Sequence, residues 1–139
     1  MRAVMDTNVL VAGLRSRRGA SNQLLQLLRA GQWTLVLSNT TLGEYHEVLH
    51  RQAEAIGLSH GDADAYLDVL CALAEQRTLS TAWQPAAADP DDEPFVQLAR
   101  EAQVGYIVTH NVRDLAGARQ FGVEVVRPAE FLSIVRKAI

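Results

Sequence analysis

Short apolar runs alternate with helix-patterned stretches along this chain, and that alternation narrows the fold to one class. Arg2–Met5, Trp33–Leu37, Val104–Thr109 and Val123–Arg127 read as strands. After the first, Ser21 caps a helix carrying Leu24, Leu25, Leu27 and Leu28, and Gly31 ends it. Thr40 or Thr41 caps the next helix, from Leu42 to about Ile56. A further helix from about Asp62 to Gln76 places Tyr66, Leu67, Leu70, Leu73 and Ala74 on one face. Leu79–Trp83 reads as an extended segment and Gln84–Asp91 as the clearest loop, leading into a helix with Pro94 in its first turn. A short helix to about Gln120 follows the third strand, and Pro128 opens the last helix. Strands joined through helices pair in parallel. The expected fold is therefore a single-domain, three-layer α/β arrangement over residues 1–139, a central parallel sheet flanked by helices.

Function is read from four acids placed where elements hand over to loops. Asp6 closes the apolar run Ala3-Val4-Met5, and Glu44 sits in the first turns of a helix. Asp92 ends Asp89-Pro90-Asp91-Asp92 before a helix, and Asp114 follows the third strand by way of His110-Asn111-Val112-Arg113. In open parallel sheets, sites form beyond the carboxyl ends of the strands, where Asp6 and Asn111–Asp114 fall. Glu44 and Asp92 would reach the same place from neighbouring helix starts. Carboxylates gathered at the ends of buried elements are costly unless cations accompany them. Mg²⁺ and Mn²⁺ are hard ions that prefer such oxygen ligands, so the pattern points to metal-assisted phosphoryl chemistry. Each acid also has a plainer role open to it, as a helix cap or a first-turn charge favoured by the helix dipole.

Composition sets bounds on this reading. With 139 residues the chain can bury a core without staples, and Cys71 is its only cysteine, so no disulfide forms and a reducing cytoplasm is the natural setting. No stretch is long enough to span a membrane, and the chain enters a strand at once without a secretory segment. The formal charge of −3 argues only weakly against a nucleic-acid substrate, because bound cations would neutralise an acidic site. Arg15, Arg17 and Arg18 cluster shortly after Asp6, either as a solvated loop or as a phosphate-contacting edge.

The ordered set of motifs resembles the PIN-domain family of metal-dependent ribonucleases, specifically bacterial PIN toxins of toxin–antitoxin pairs. The matching stretches are Met5-Asp6-Thr7-Asn8-Val9-Leu10-Val11 and Ser38-Asn39-Thr40-Thr41-Leu42-Gly43-Glu44-Tyr45 with Glu47-Val48-Leu49. They continue in Asp89 to Ala99, in Ile107-Val108-Thr109-His110-Asn111-Val112-Arg113-Asp114-Leu115, and in Val126-Arg127-Pro128-Ala129-Glu130-Phe131-Leu132. Any one of these is weak, and the set in this order is specific. The resemblance implies Asp6, Glu44, Asp92 and Asp114 as catalytic, metal-holding acids for Mg²⁺ or Mn²⁺, one ion or two. Asp89 or Asp91 stand as competitors to Asp92. It implies Thr7 and Asn8 as donors orienting Asp6, Thr109 and Asn111 as polar helpers, and products ending in a 3′-hydroxyl and a 5′-phosphate. It also implies an RNA substrate and a small antitoxin as partner, and a homo-oligomer is compatible with it; on the phosphate-edge reading of the arginine cluster, Arg15, Arg17 and Arg18 are RNA contacts.

Two other readings compete. One is a PIN-like scaffold that binds RNA or protein without cutting. The other is a zinc metalloprotease, because His46-Glu47-Val48-Leu49-His50 spells H-E-x-x-H, with two His for zinc and Glu as base. At about 100° per residue, Leu42, Tyr45, Val48, Leu49 and Ile56 define the buried face of that helix. His46 and His50 fall beyond its border and Glu47 nearly opposite, which suits solvent better than a zinc cleft. Asp62, Asp64 and Asp68 are available as a third ligand but form no motif. No glycine-rich phosphate loop occurs, and the single Lys near the C-terminus excludes a receiver domain. Cys71 suits packing better than nucleophilic attack, and Trp33 and Trp83 suit core edges better than base stacking.

Overall fold

The computed structural model describes residues 1–139 and contains five strands: β1 (Arg2–Met5), β2 (Thr34–Leu37), β3 (Glu75–Gln76), β4 (Tyr106–Val108) and β5 (Glu124–Val126). The helices are α1 (Thr7–Arg15), α2 (Ala20–Arg29), α3 (Asn39–Ile56), α4 (His60–Leu73), α5 (Glu93–Glu101), α6 (Val112–Leu115) and α7 (Pro128–Ala138). All five strands pair in parallel, in the order β3-β2-β1-β4-β5. The expected α/β class, a parallel sheet flanked by helices, is the observed one. The chain winds from β1 to one edge and returns across the sheet to β4, so the order reverses between β1 and β4. A crevice at such a switch point is where open α/β sheets place their sites.

Several elements differ from the sequence expectation. The stretch after Asp6 is a nine-residue helix, α1. Its valines and Gly13 give it poor intrinsic propensity, and burial of Val9, Leu10 and Val11 stabilises it instead. The fourth helix ends at Leu73 rather than Gln76, and Glu75–Gln76 instead extends the sheet beside β2. Leu79–Trp83 forms no strand. Gly19 rather than Ser21 occupies the N-cap of α2, and Ser21 lies buried inside the helix. Ser38, not Thr40 or Thr41, caps α3; the Thr41 hydroxyl completes the capping box by accepting from the Ser38 N–H at 3.0 Å.

One continuous apolar core runs from Ala3 to Val135. Trp33 is buried within it, donates its indole N–H to the Leu24 carbonyl at 2.8 Å and meets Phe131 edge-on. Trp83 is half-buried against Phe121 and donates to Glu93 at 2.8 Å. Both tryptophans therefore have packing roles, as their sequence contexts suggested. Cys71 is half-buried on α4, and burial pushes its thiol pKa up, the wrong direction for a nucleophile. No helix is long and apolar enough to cross a membrane.

Candidate metal centre

Strand register brings the first acid to its partner. Met5 pairs with Val108 across β1 and β4, so the next residues, Asp6 and Thr109, emerge side by side. Asp6 continues the ladder by donating its N–H to the Val108 carbonyl at 2.9 Å. The buried Thr109 hydroxyl donates to Asp6 Oδ2 at 2.8 Å and accepts from the Asn111 N–H at 2.9 Å. Asp6 occupies the N-cap position of α1, yet its carboxylate makes no capping bond. It is 5 % exposed. Burial raises its pKa, opposed by the Thr109 hydrogen bond, the Thr7 and Asn8 backbone N–H groups and nearby His110.

Glu44 reaches the same end of the sheet from the second turn of α3. Its neighbour Tyr45 is fully buried and hydrogen-bonds the Met5 carbonyl, which anchors α3 against the end of β1. Tyr45 also stacks on Phe95 of α5 with ring centroids 6.5 Å apart. That contact sets the spacing between Glu44 and Asp92, which stand one residue and three residues from its two rings. The Thr7 hydroxyl donates to Glu44 Oε2. Thr7 and Asn8 meet the Asp6 carboxylate through their backbone N–H groups, which leaves the Thr7 hydroxyl to Glu44. The Asn8 and Asn111 side chains are exposed, and Asn111 acts through its backbone. Burial raises the Glu44 pKa, with Asp6, Asp91 and Glu47 adding to the rise against the Thr7 hydrogen bond.

Asp92 stands at the N-cap of α5 without a capping bond, at the end of a 3₁₀ turn over Pro90–Asp92. Asp89 caps that turn by accepting from the Asp91 N–H at 2.9 Å, so its side chain serves the backbone. Glu93 holds the preceding loop: its carboxylate accepts from the Trp83 indole and from the Ala86 and Ala87 N–H groups. The Ala86 carbonyl lies 2.0 Å from where a Cβ on Gly117 would stand, so only glycine permits this approach. Sequence reading did not single out Glu93 or Gly117. The Asp92 pKa is pushed up to about 6 by burial first, then by Asp6, Asp89, Asp114 and Glu44. Asp114 lies on the one-turn helix α6, with its N–H bonded to the Asn111 carbonyl at 3.1 Å.

The four acids thus come from four separate elements and feel one another's charge. None is within ion-pair distance of a Lys, Arg or His. No three of their oxygens close to within 4.8 Å, so they do not form a closed ligand shell. Converging, partly buried carboxylates with no cation partner suit hard divalent ions. Arg15 is not beside them. Arg15 ends α1, roughly 13 Å along the helix from Asp6, and contacts Gln52 of α3 at 3.2 Å, while Arg17 and Arg18 are exposed in the bend that follows.

The sequence profile of the PIN domain matches residues 2–113, the stretch that carries β1 to β4 and all but the last of these acids. This chain belongs to the PIN-domain family. Beyond residue 113, β5 and α7 complete the PIN core with Val125, Val126, Phe131 and Val135. No curated protein sequence matches the chain. Among solved structures, a chain of VapBC2 from Rickettsia felis bound to a DNA fragment from their promoter superposes with a TM-score of 0.62. The two are 15 % identical, over 91 % of this chain and 98 % of that one, so the likeness is one of fold.

The H-E-x-x-H string of this PIN domain lies on another face of α3. Its Glu47 is exposed and paired with Arg51 at 3.3 Å, one turn along the same helix. His46 is exposed as expected, but His50 is half-buried against α4. The predicted solvent position failed there because α4 folds back over that side of α3.

Proposed function

We propose that this PIN domain, residues 1–139 as one unit, is an endoribonuclease that depends on Mg²⁺ or Mn²⁺. We propose further that it serves as the toxin of a toxin–antitoxin pair. The observation that carries the reading is the set Asp6, Glu44, Asp92 and Asp114: four acids on four elements at the switch point, without a cation partner. When bound, a divalent ion supplies Lewis acidity, lowering the pKa of water and neutralising charge on the phosphate. The chain supplies the rest. Asp6 and Glu44 are held in place by Thr109 and Thr7, and those donors fix which carboxylate oxygens stay free for the ion. Asp92 and Asp114 face them from the loop held by Glu93 and from the turn after β4. Water adds to phosphorus as the bond to the 3′-oxygen breaks; the departing oxygen leaves as a 3′-hydroxyl and the new bond ends in a 5′-phosphate.

The DNA-bound state of the structural neighbour VapBC2 supports a small DNA-binding antitoxin as partner. An RNA target and a lone thiol support a cytoplasmic setting. Purified protein incubated with single-stranded RNA cleaves it in Mn²⁺ and stops in EDTA. RNA that binds but stays intact in Mn²⁺ would instead make the chain a non-catalytic scaffold.

At the end of α1 and in the bend that follows, Arg15, Arg17 and Arg18 contact phosphates of an RNA that runs beyond the cleavage point. Changing all three to Gln weakens binding uniformly across RNA sequences and flattens the salt slope by up to about 2, at roughly 0.7 for each phosphate no longer neutralised. Filter binding across a salt series measures it. An unchanged slope returns the three arginines to a passive surface.

A further inference from the structure

We propose that His46, His50 and Asp64 form a second metal site, separate from the acidic centre, which takes a borderline divalent cation such as Zn²⁺ and ties α3 to α4. Their ligand atoms lie within 4.8 Å of one another, at the only place in the chain where three such groups meet this closely. His46 and His50 are four residues apart on α3, so their imidazoles share one side of the helix, with ring centroids 4.3 Å apart. The short turn over residues 57–59 sends α4 back along α3, and Asp64 arrives opposite the pair. Asp64 Oδ1 stands 3.5 Å from His46 Nε2 and 2.6 Å from His50 Nε2. A tetrahedral ion with ligands at about 2.0–2.1 Å separates ligand atoms by roughly 3.3 Å. The first spacing already fits, and the second needs only the hydrogen bond to open around the ion.

A fourth residue prepares His50 for this role. His50 Nδ1 lies 2.6 Å from His60 Nδ1, and the two rings lie edge to edge in nearly one plane, with centroids 4.8 Å apart and an interplanar angle of 7°. When His50 Nε2 gives its lone pair to a cation, its ring proton sits on Nδ1, where His60 Nδ1 accepts it. Ligating histidines are ordinarily oriented by such an acceptor. Two imidazoles and one carboxylate favour Zn²⁺, Ni²⁺ or Co²⁺ over Mg²⁺, the opposite preference from that of the oxygen-only acidic centre. Three protein ligands leave a position for water. Glu47, paired with Arg51, is turned to solvent, so the site is a clasp between two helices rather than a peptidase centre.

The test is a Zn²⁺ titration by calorimetry on tag-free protein in millimolar Mg²⁺, with His50→Ala, Asp64→Asn, His60→Ala and Asp6→Asn beside wild type. One Zn²⁺ per chain binds wild type and Asp6→Asn, and that event is lost in His50→Ala. His60→Ala weakens it by about tenfold, and Asp64→Asn by at least as much. Zn²⁺ also raises the Tm of wild type but not of His50→Ala. Zn²⁺ affinity unchanged in His50→Ala would overturn the site, and full affinity in Asp64→Asn would reduce it to a bare helical histidine pair. The visible spectrum of bound Co²⁺ decides on wild type alone: four-coordinate bands support the site, and only six-coordinate, oxygen-type bands refute it.

Discussion

Asp6→Asn lowers Mn²⁺-dependent RNA cleavage by at least about a hundredfold, beyond the ten- to hundredfold ordinarily lost with a residue that merely supports a ligand. The substitution keeps the shape of the side chain and an oxygen able to accept from Thr109, so the end of β1 retains its geometry. What disappears is the charge of the most deeply buried of the four acids. The paired change His46→Ala with His50→Ala leaves cleavage largely intact, because those rings face α4 rather than the sheet end. A fluorogenic RNA assay on nuclease-free preparations, with circular dichroism to confirm folding, reads both. Full activity in Asp6→Asn would sink the proposed mechanism, and zinc-dependent peptide cleavage lost with His50 would favour the protease in its place.

Asp92→Asn melts higher than wild type in EDTA and gains less from Mn²⁺. In the metal-free fold the Asp92 carboxyl is raised from 3.8 to about 6, by burial first and by the neighbouring acids after it. Below 3.8 both folded and unfolded forms carry the proton, and the group costs the fold nothing. Between 3.8 and about 6 the folded state holds a proton that the unfolded state has lost, so stability falls as pH rises. Above about 6 the penalty is complete, and the raised carboxyls of Asp6 and Glu44 act in the same direction. Full conversion of the Asp92 shift would give about 3 kcal/mol; its partly exposed position discounts that to roughly 1 kcal/mol, or about 3 °C in Tm. Mn²⁺ at a hundredfold excess over its Kd stabilises wild type by about 2.7 kcal/mol through binding the native site alone. Melting curves at pH 5 and pH 8, with EDTA and with Mn²⁺, follow both effects. If wild type shows no Mn²⁺ shift and Asp92→Asn simply melts lower, these acids are caps and structural charges.

Periodicity alone determined the class of this fold, because a buried parallel strand must be apolar on both faces and a covering helix must carry a stripe. Ala3–Met5, Ile107–Val108 and Val125–Val126 state the first rule, and Leu24, Leu25 and Leu28 the second. The order of the acids was equally legible, since each stands beside a local boundary signal. Elements held by their surroundings were not. The helix α1 is poor by propensity and exists through burial, and the two residues of β3 are polar and join the sheet by pairing with Val36 and Leu37. Only the tertiary structure decided which hydroxyl serves which carboxylate. Thr7 is adjacent to Asp6 in sequence yet donates to Glu44, while Thr109, 103 residues away, reaches Asp6 because parallel register sets Met5 beside Val108. The same holds for Asp64. Three aspartates lay within reach of the His46–His50 pair, and the turn between α3 and α4 selected one of them. Local pattern records what each segment buries, whereas contacts between segments depend on register, crossing and turn geometry, which no single segment encodes.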